Sequence, residues 1–147
     1  MDFKPIRNAD VHPYVVKAGQ TIAPGDPVCL DASARTVVKW GDTETKFVLG
    51  VAASGVTSAV AGDKIMVYDN PDCVFMATAD ASIAQTTVNI ACDVIGTSGD
   101  NFLVDIGTTT TAQWKVVDLL QNVDPLTATA KPRGVLVKPV KHVYAAS

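Results

Sequence analysis

Residues 24–68 read PGDPVCLDASARTVVKWGDTETKFVLGVAASGVTSAVAGDKIMVY, and this stretch decides the fold. Short valine-rich runs alternate with clusters of Gly, Asp, Ser and Thr, which is how consecutive β-strands joined by tight turns are written. Val28-Cys29-Leu30 is stopped by Asp31-Ala32-Ser33, and Thr36 to Trp40 is its hairpin partner. Gly41-Asp42-Thr43 turns the chain again. Phe47 to Ala53 is apolar on both faces and predicts a central strand covered on each side. Gly62-Asp63 then introduces a strand over Lys64 to Tyr68.

The same grammar continues outward. Asp69-Asn70-Pro71-Asp72 predicts a turn, with Cys73 to Thr78 as the returning strand of that hairpin. Thr86 to Ile95 alternates with period two and puts Val88, Ile90, Cys92 and Val94 on one face. After a turn at Thr97-Ser98-Gly99-Asp100, Phe102 to Ile106 returns. Gly107 to Thr111 reads as a threonine-rich loop. Gln113 to Leu119 is a strand, and Asn122 to Pro132 reads as a proline-marked loop. Gly134 to Val137 and Lys141 to Tyr144 close the chain, with Pro139 implying an edge or a bulge. The expectation is an all-β chain: a small β-barrel or β-tulip-like domain over 17–147, preceded by an extended arm over 1–16. Pro5 and Pro13 deny that arm a helix.

Composition sets bounds. The 147 residues fit one domain, and 48% apolar with 18% charged residues argues for a packed core. A net charge of −3 argues against nucleic acid as a partner. Lys131, Arg133, Lys138 and Lys141 form a local basic group that reads as a solvated or partner-facing edge. No apolar run approaches the ~20 residues that cross a bilayer, and no secretory leader opens the chain, so a soluble protein made in a cytoplasm is expected. Cys29, Cys73 and Cys92 lack CxxC spacing and sit in apolar runs, which reads as three buried free thiols.

Candidate chemistry is sparse, and no enzyme, cofactor or metal site is expected. His12 and His142 stand at opposite ends, neither beside a nucleophile elbow, and read as surface or interface residues. Six of the fourteen aspartates lie where turns need their side chains: Asp31, Asp42, Asp63, Asp69, Asp72 and Asp100. Asp69, Asn70 and Asp72 lack EF-hand spacing. Asp93 and Asp105 lie in strands and could oppose each other as a glycosidase-like pair, or simply share a wet sheet face. The aromatics are spread about one per strand, as core anchors are.

Pro27-Val28-Cys29-Leu30-Asp31, followed by Ser33, Arg35, Val38 and Trp40, then Leu49-Gly50-Val51-Ala52-Ala53 and Ile65 to Tyr68, resembles the head-decoration (capsid cement) proteins of tailed bacteriophages, of the lambda type. Gln113 to Leu119 and Val135 to Tyr144 are similar in layout to larger phage capsid-associated proteins. The resemblance covers under half of the chain, whose C-terminal half is longer than the family pattern. It implies a non-catalytic β-rich homotrimer on the virion surface that staples neighbouring copies of the major capsid protein. It also implies a contacting arm, here carrying Phe3, Lys4, Ile6 and Arg7. The stapling contacts are expected in that arm and in the loops after Asn122. Two other functions fit the residues: another virion structural β-module (head fibre, tail or baseplate), and a small β-barrel hydrolase using Asp93, Asp105 or His142.

Overall fold

The computed structural model describes residues 3–31, 33–41, 46–97, 101–107 and 111–143. The expected turns at Asp42 and at 98–100, the run 108–110, and Tyr144 lie outside the described residues. The protein is mostly β, in two antiparallel sheets. The strands are β1 (Lys4–Arg7), β2 (Val11–Val15), β3 (Pro27–Leu30), β4 (Val37–Lys39), β5 (Val48–Ala52), β6 (Lys64–Tyr68), β7 (Val74–Thr78), β8 (Ala91–Thr97), β9 (Asn101–Asp105), β10 (Trp114–Leu119) and β11 (Gly134–Pro139). Two short helices, α1 (Leu120–Val123) and α2 (Pro125–Ala130), join β10 to β11.

The five-stranded sheet has the order β2-β6-β5-β3-β4, and the six-stranded sheet the order β1-β7-β11-β10-β8-β9. Both curl. A parallel bridge between Val16 and Val37 brings the two edges of the five-stranded sheet together, and another between Ala79 and Val104 ties the end of β7 to β9. Inside the first curl lie Val28, Val37, Leu49, Ile65 and Val67, capped by Ile22 and Ala59. Between the sheets lies the larger core, with Phe3, Trp40, Val48, Val51, Phe75, Phe102, Trp114 and Val116. Strand β5 is therefore buried along its whole length, as its two apolar faces require. A bulge makes this possible: Val28 pairs with Gly50 and Cys29 with Val48, so Leu49 is the extra residue.

The hairpin β3–β4 forms in the expected place, and β8 pairs with β9 from Asp93↔Asp105 to Thr97↔Asn101. The three cysteines are buried free thiols. Burial pushes the thiols of Cys73 and Cys92 up to about 12, so both are inert at neutral pH.

Four expectations are corrected. Residues 3–16 are extended, but they do not form an arm apart from the domain. Strand β1 joins β7 at the edge of the six-stranded sheet, β2 joins β6, and Phe3 packs in the core. Strand β7 is not the hairpin return of β6; it crosses to the other sheet and pairs with β1 and β11. The stretch after Asn122 holds helix α2, because Asp124 caps it and Pro125 occupies the first helical turn. Strand β11 is central, between β7 and β10, and tolerates Pro139 because that residue is its last.

Candidate functional site

The expected contact residues fall on two sides of β1. Phe3 is 2% exposed, and its ring centroid lies 5.2 Å from that of Trp114 and 6.4 Å from that of Phe75. Its place is the core, because aromatic area this large gains most by leaving water. Lys4 and Arg7 are exposed, and Ile6 is 42% exposed. Lys4 pairs with Met76, which pairs in turn with Leu136, so the three share the outer face of the six-stranded sheet.

Helices α1 and α2 cover part of that face. Val74, Leu120 and Leu136 form a small buried cluster beneath them, with Met76, Val117 and Ala128 packed alongside. What the helices leave open is a groove of about 600 Å³ between β1 and α2. Ile6, Met76, Leu120, Val123 and Leu136 make it apolar; Arg7 stands on one rim, Asp124 and Thr127 on the other. Asp124 is engaged as the α2 cap, accepting from the Thr127 hydroxyl at 2.6 Å. Val123 is exposed, and Leu126 on α2 is 87% exposed. The N-terminal stretch and the segment after Asn122 thus meet on one surface. Strand pairing β1–β7–β11 brings them together.

The second cluster centres on Asp69, at the end of β6 and largely buried. Tyr14 donates its hydroxyl to one carboxylate oxygen at 2.6 Å, and His12 Nδ1 donates to the other at 2.7 Å. The His12 ring is otherwise exposed, and the Asp69 carboxylate raises its pKa from the ordinary 6.5, by hydrogen bond first and by charge second. His142, expected at the surface or at an interface, is 1% exposed inside the chain's own fold. It sits where the C-terminal segment bridges Val48, and its Nε2 donates to the Leu49 carbonyl at 2.7 Å. Burial lowers its pKa, opposed by that carbonyl and by Asp69.

The third cluster joins Asp93 and Asp105, which pair directly across β8 and β9, with Asp80 beside Asp105. Asp93 accepts from the backbone N–H groups of Thr111 and Ala112, at 3.1 and 2.6 Å, and so organises a loop. Burial raises the pKa of Asp80, and the Asp105 charge adds to it. A carboxyl group with a raised folded-state pKa stabilises the fold below its unfolded value and loses that contribution as pH rises through the folded value. At neutral pH the charged Asp80 is a net cost. Asp80→Asn is expected to raise the unfolding midpoint at pH 7, with the gain vanishing near pH 3; calorimetry at both pH values checks it, and a lower midpoint at pH 7 contradicts it. Among the described residues, no group of three or more His, Cys, Asp or Glu side chains has the arrangement of a metal site.

Sequence reading missed Asp69 as a meeting point and Leu126 as an exposed apolar residue. The first had a partial signal: His12 and Tyr14 stand two apart in β2, which puts them on one face, whereas Asn8 and Asp10 precede the strand. No protein-family model matches the chain, and no curated protein matches it in sequence.

Proposed function

We propose that this protein is a capsid decoration protein, binding the outer surface of an expanded phage head and stapling neighbouring major capsid subunits. The observation that carries the reading is the groove between β1 and α2. Two segments more than 100 residues apart converge there and leave Ile6 and Val123 exposed around an apolar floor, with Leu126 exposed on the same helix as the Thr127 rim. Clustered apolar side chains rimmed by polar ones mark a protein-binding surface. Lys4, Ile6 and Arg7 keep the contacting role, joined by Val123 and Leu126. Phe3 leaves the set and holds β1 in place from behind.

The mechanism is linkage, without catalysis or cofactor. A protein that binds the closed shell and not its free subunits stabilises the shell by about 2.7 kcal/mol per site at a hundredfold excess over Kd. A homotrimer would engage several subunits at once and multiply weak contacts. Such a protein is made in the host cytoplasm and resides on the virion.

Sedimenting cognate expanded, undecorated heads with the purified protein tests this. Co-sedimentation at micromolar concentration is expected, and Leu126→Asp or Ile6→Asp should weaken it by roughly tenfold, the loss of ~1.4 kcal/mol. No binding of the wild-type protein at that concentration removes the reading.

A further inference from the structure

Strand β2 is held in an unusual way. Its pattern is exposed at Val11, His12, Pro13 and Val15, with Tyr14 half-buried. At its far end Val16 is buried and bridges Val37. At its near end the apolar grip is missing, and side-chain hydrogen bonds to the 69–72 turn take its place. Asn8 donates to the Asp72 carbonyl at 3.1 Å, Asp10 accepts from the Asn70 amide at 3.0 Å, and His12 and Tyr14 both bind Asp69. A strand with little buried apolar surface opens locally at low cost unless such ties hold it. Asp69 also interacts, through its charge and its backbone, with His142, which fastens the C-terminal segment to β5.

We propose that Asp69 is the seat of a pH-sensitive clasp that fastens β2 and the C-terminal segment to the end of β6, tightest when His12 is protonated and His142 neutral. The inference is independent of the decoration reading.

Among the described residues, the charged and titratable groups facing the clasp come from four places. Asp69 and Asp10 face His12; Tyr14 shares the Asp69 carboxylate; His142 lies in its field; and the Cys73 thiol lies in the field of Asp10. Both carboxylates favour the His12 cation. Deprotonation of His12 leaves a neutral Nδ1–H that still bonds to Asp69, but a charge-assisted bond is about twice as strong as a neutral one. The clasp therefore slackens without parting.

The two histidines act with opposite sign. His12, with its folded pKa raised, contributes fully below the unfolded value of 6.5, and the contribution fades as pH rises through the folded value. His142, with its folded pKa lowered, contributes fully above 6.5, and its contribution fades as pH falls through the folded value. Stability from the pair peaks between the two folded pKa values, and β2 loosens on the alkaline side.

Proton NMR titration of both imidazoles, with amide hydrogen exchange at pH 6 and pH 8.5 corrected for intrinsic rates, tests the clasp on the full chain. In the wild type, His12 should titrate above 6.5 and His142 below it. Protection of the β2 amides relative to those of β5 should drop several-fold from pH 6 to pH 8.5. His12→Gln, an exposed change that the fold tolerates, should abolish that drop; Asp69→Asn should return His12 toward 6.5. A flat β2 protection ratio in the wild type, a drop that survives in His12→Gln, or a His12 that titrates at or below 6.5 overturns the proposal.

Discussion

Gly50→Ala is expected to cost at least about 4 kcal/mol, a loss large enough to leave a domain of this size largely unfolded at 37 °C. A Cβ placed on Gly50 would lie 1.9 Å from the carbonyl oxygen of Tyr68 and 2.8 Å from its carbonyl carbon. Both atoms are backbone, so no rotamer change can clear them. Nor can the strands simply part. Tyr68 pairs with Val51 on one side and with Val11 on the other, and Val51 is held in turn by Pro27. Moving the Tyr68 carbonyl also moves Asp69, and with it the bonds to Tyr14 and His12. Gly62→Ala is the control. It has φ +93 but open space around the added carbon, so it should cost only the left-handed penalty of ~1–2 kcal/mol. Urea unfolding at constant m-value measures both. A Gly50→Ala variant as stable as Gly62→Ala would contradict the packing described for β5.

The contrast between Gly50 and its neighbours shows which parts of this fold local sequence can carry. Val28-Cys29-Leu30 and Thr36 to Trp40 are readable as a hairpin because Asp31 and Ser33 write the turn locally. In the structure Asp31 indeed accepts from the Ser33 and Ala34 backbone N–H groups. Burial of β5 on both faces is readable from Val48, Leu49, Val51 and Ala52. The partner of β7 is not. Asn70 and Asp72 announce a turn, and turn chemistry says nothing about which sheet the next strand joins. The same limit hid the role of Pro125. Proline ends a helix in its interior but starts one after a capping Asp, and here Asp124 makes the difference. For the candidate site, Phe3, Lys4, Ile6 and Arg7 are named together only because the resemblance implies a contacting arm, and nothing local to the sequence separates the buried Phe3 from the exposed other three. That Ile6 and Arg7 would share a groove with Val123 depends on β7 pairing with β1 on one side and β11 on the other, contacts across more than 50 residues in sequence that periodicity does not encode. His142 was hidden for a related reason: Lys141 beside it suggests a wet surface, while the buried site comes from the distant Leu49 and Asp69.

Phe3→Ala is expected to destabilise the domain by roughly 3–5 kcal/mol, the range for emptying a buried phenylalanine site. A frayed arm residue would cost almost nothing. Phe3 closes an aromatic group in which Trp114 touches Phe3, Phe75 and Trp40 at centroid separations of 5.2, 6.2 and 6.0 Å, all at steep interplanar angles. Edge-to-face contacts of this kind add to the area that each ring buries. Trp40 also donates its indole N–H to the Val94 carbonyl at 2.8 Å, binding the two sheets across the core. Trp114 has no such partner for its own Nε1, so the surrounding rings and its burial must hold it. Removing Phe3 strips one wall from Trp114 and leaves a cavity that this ring cannot fill by swinging, because Phe75 and Trp40 fix its other contacts. The Phe3 amide also bonds to the Gly25 carbonyl at 3.2 Å, so the backbone will not simply collapse inward. Ile6→Ala, three residues along on the exposed face, should change stability by less than about 0.5 kcal/mol. The two variants separate the two sides of residues 3–7: Phe3 serves the fold, and Ile6 is free to serve a partner. Equal, small effects on the urea midpoint would return residues 3–7 to an arm outside the folded core.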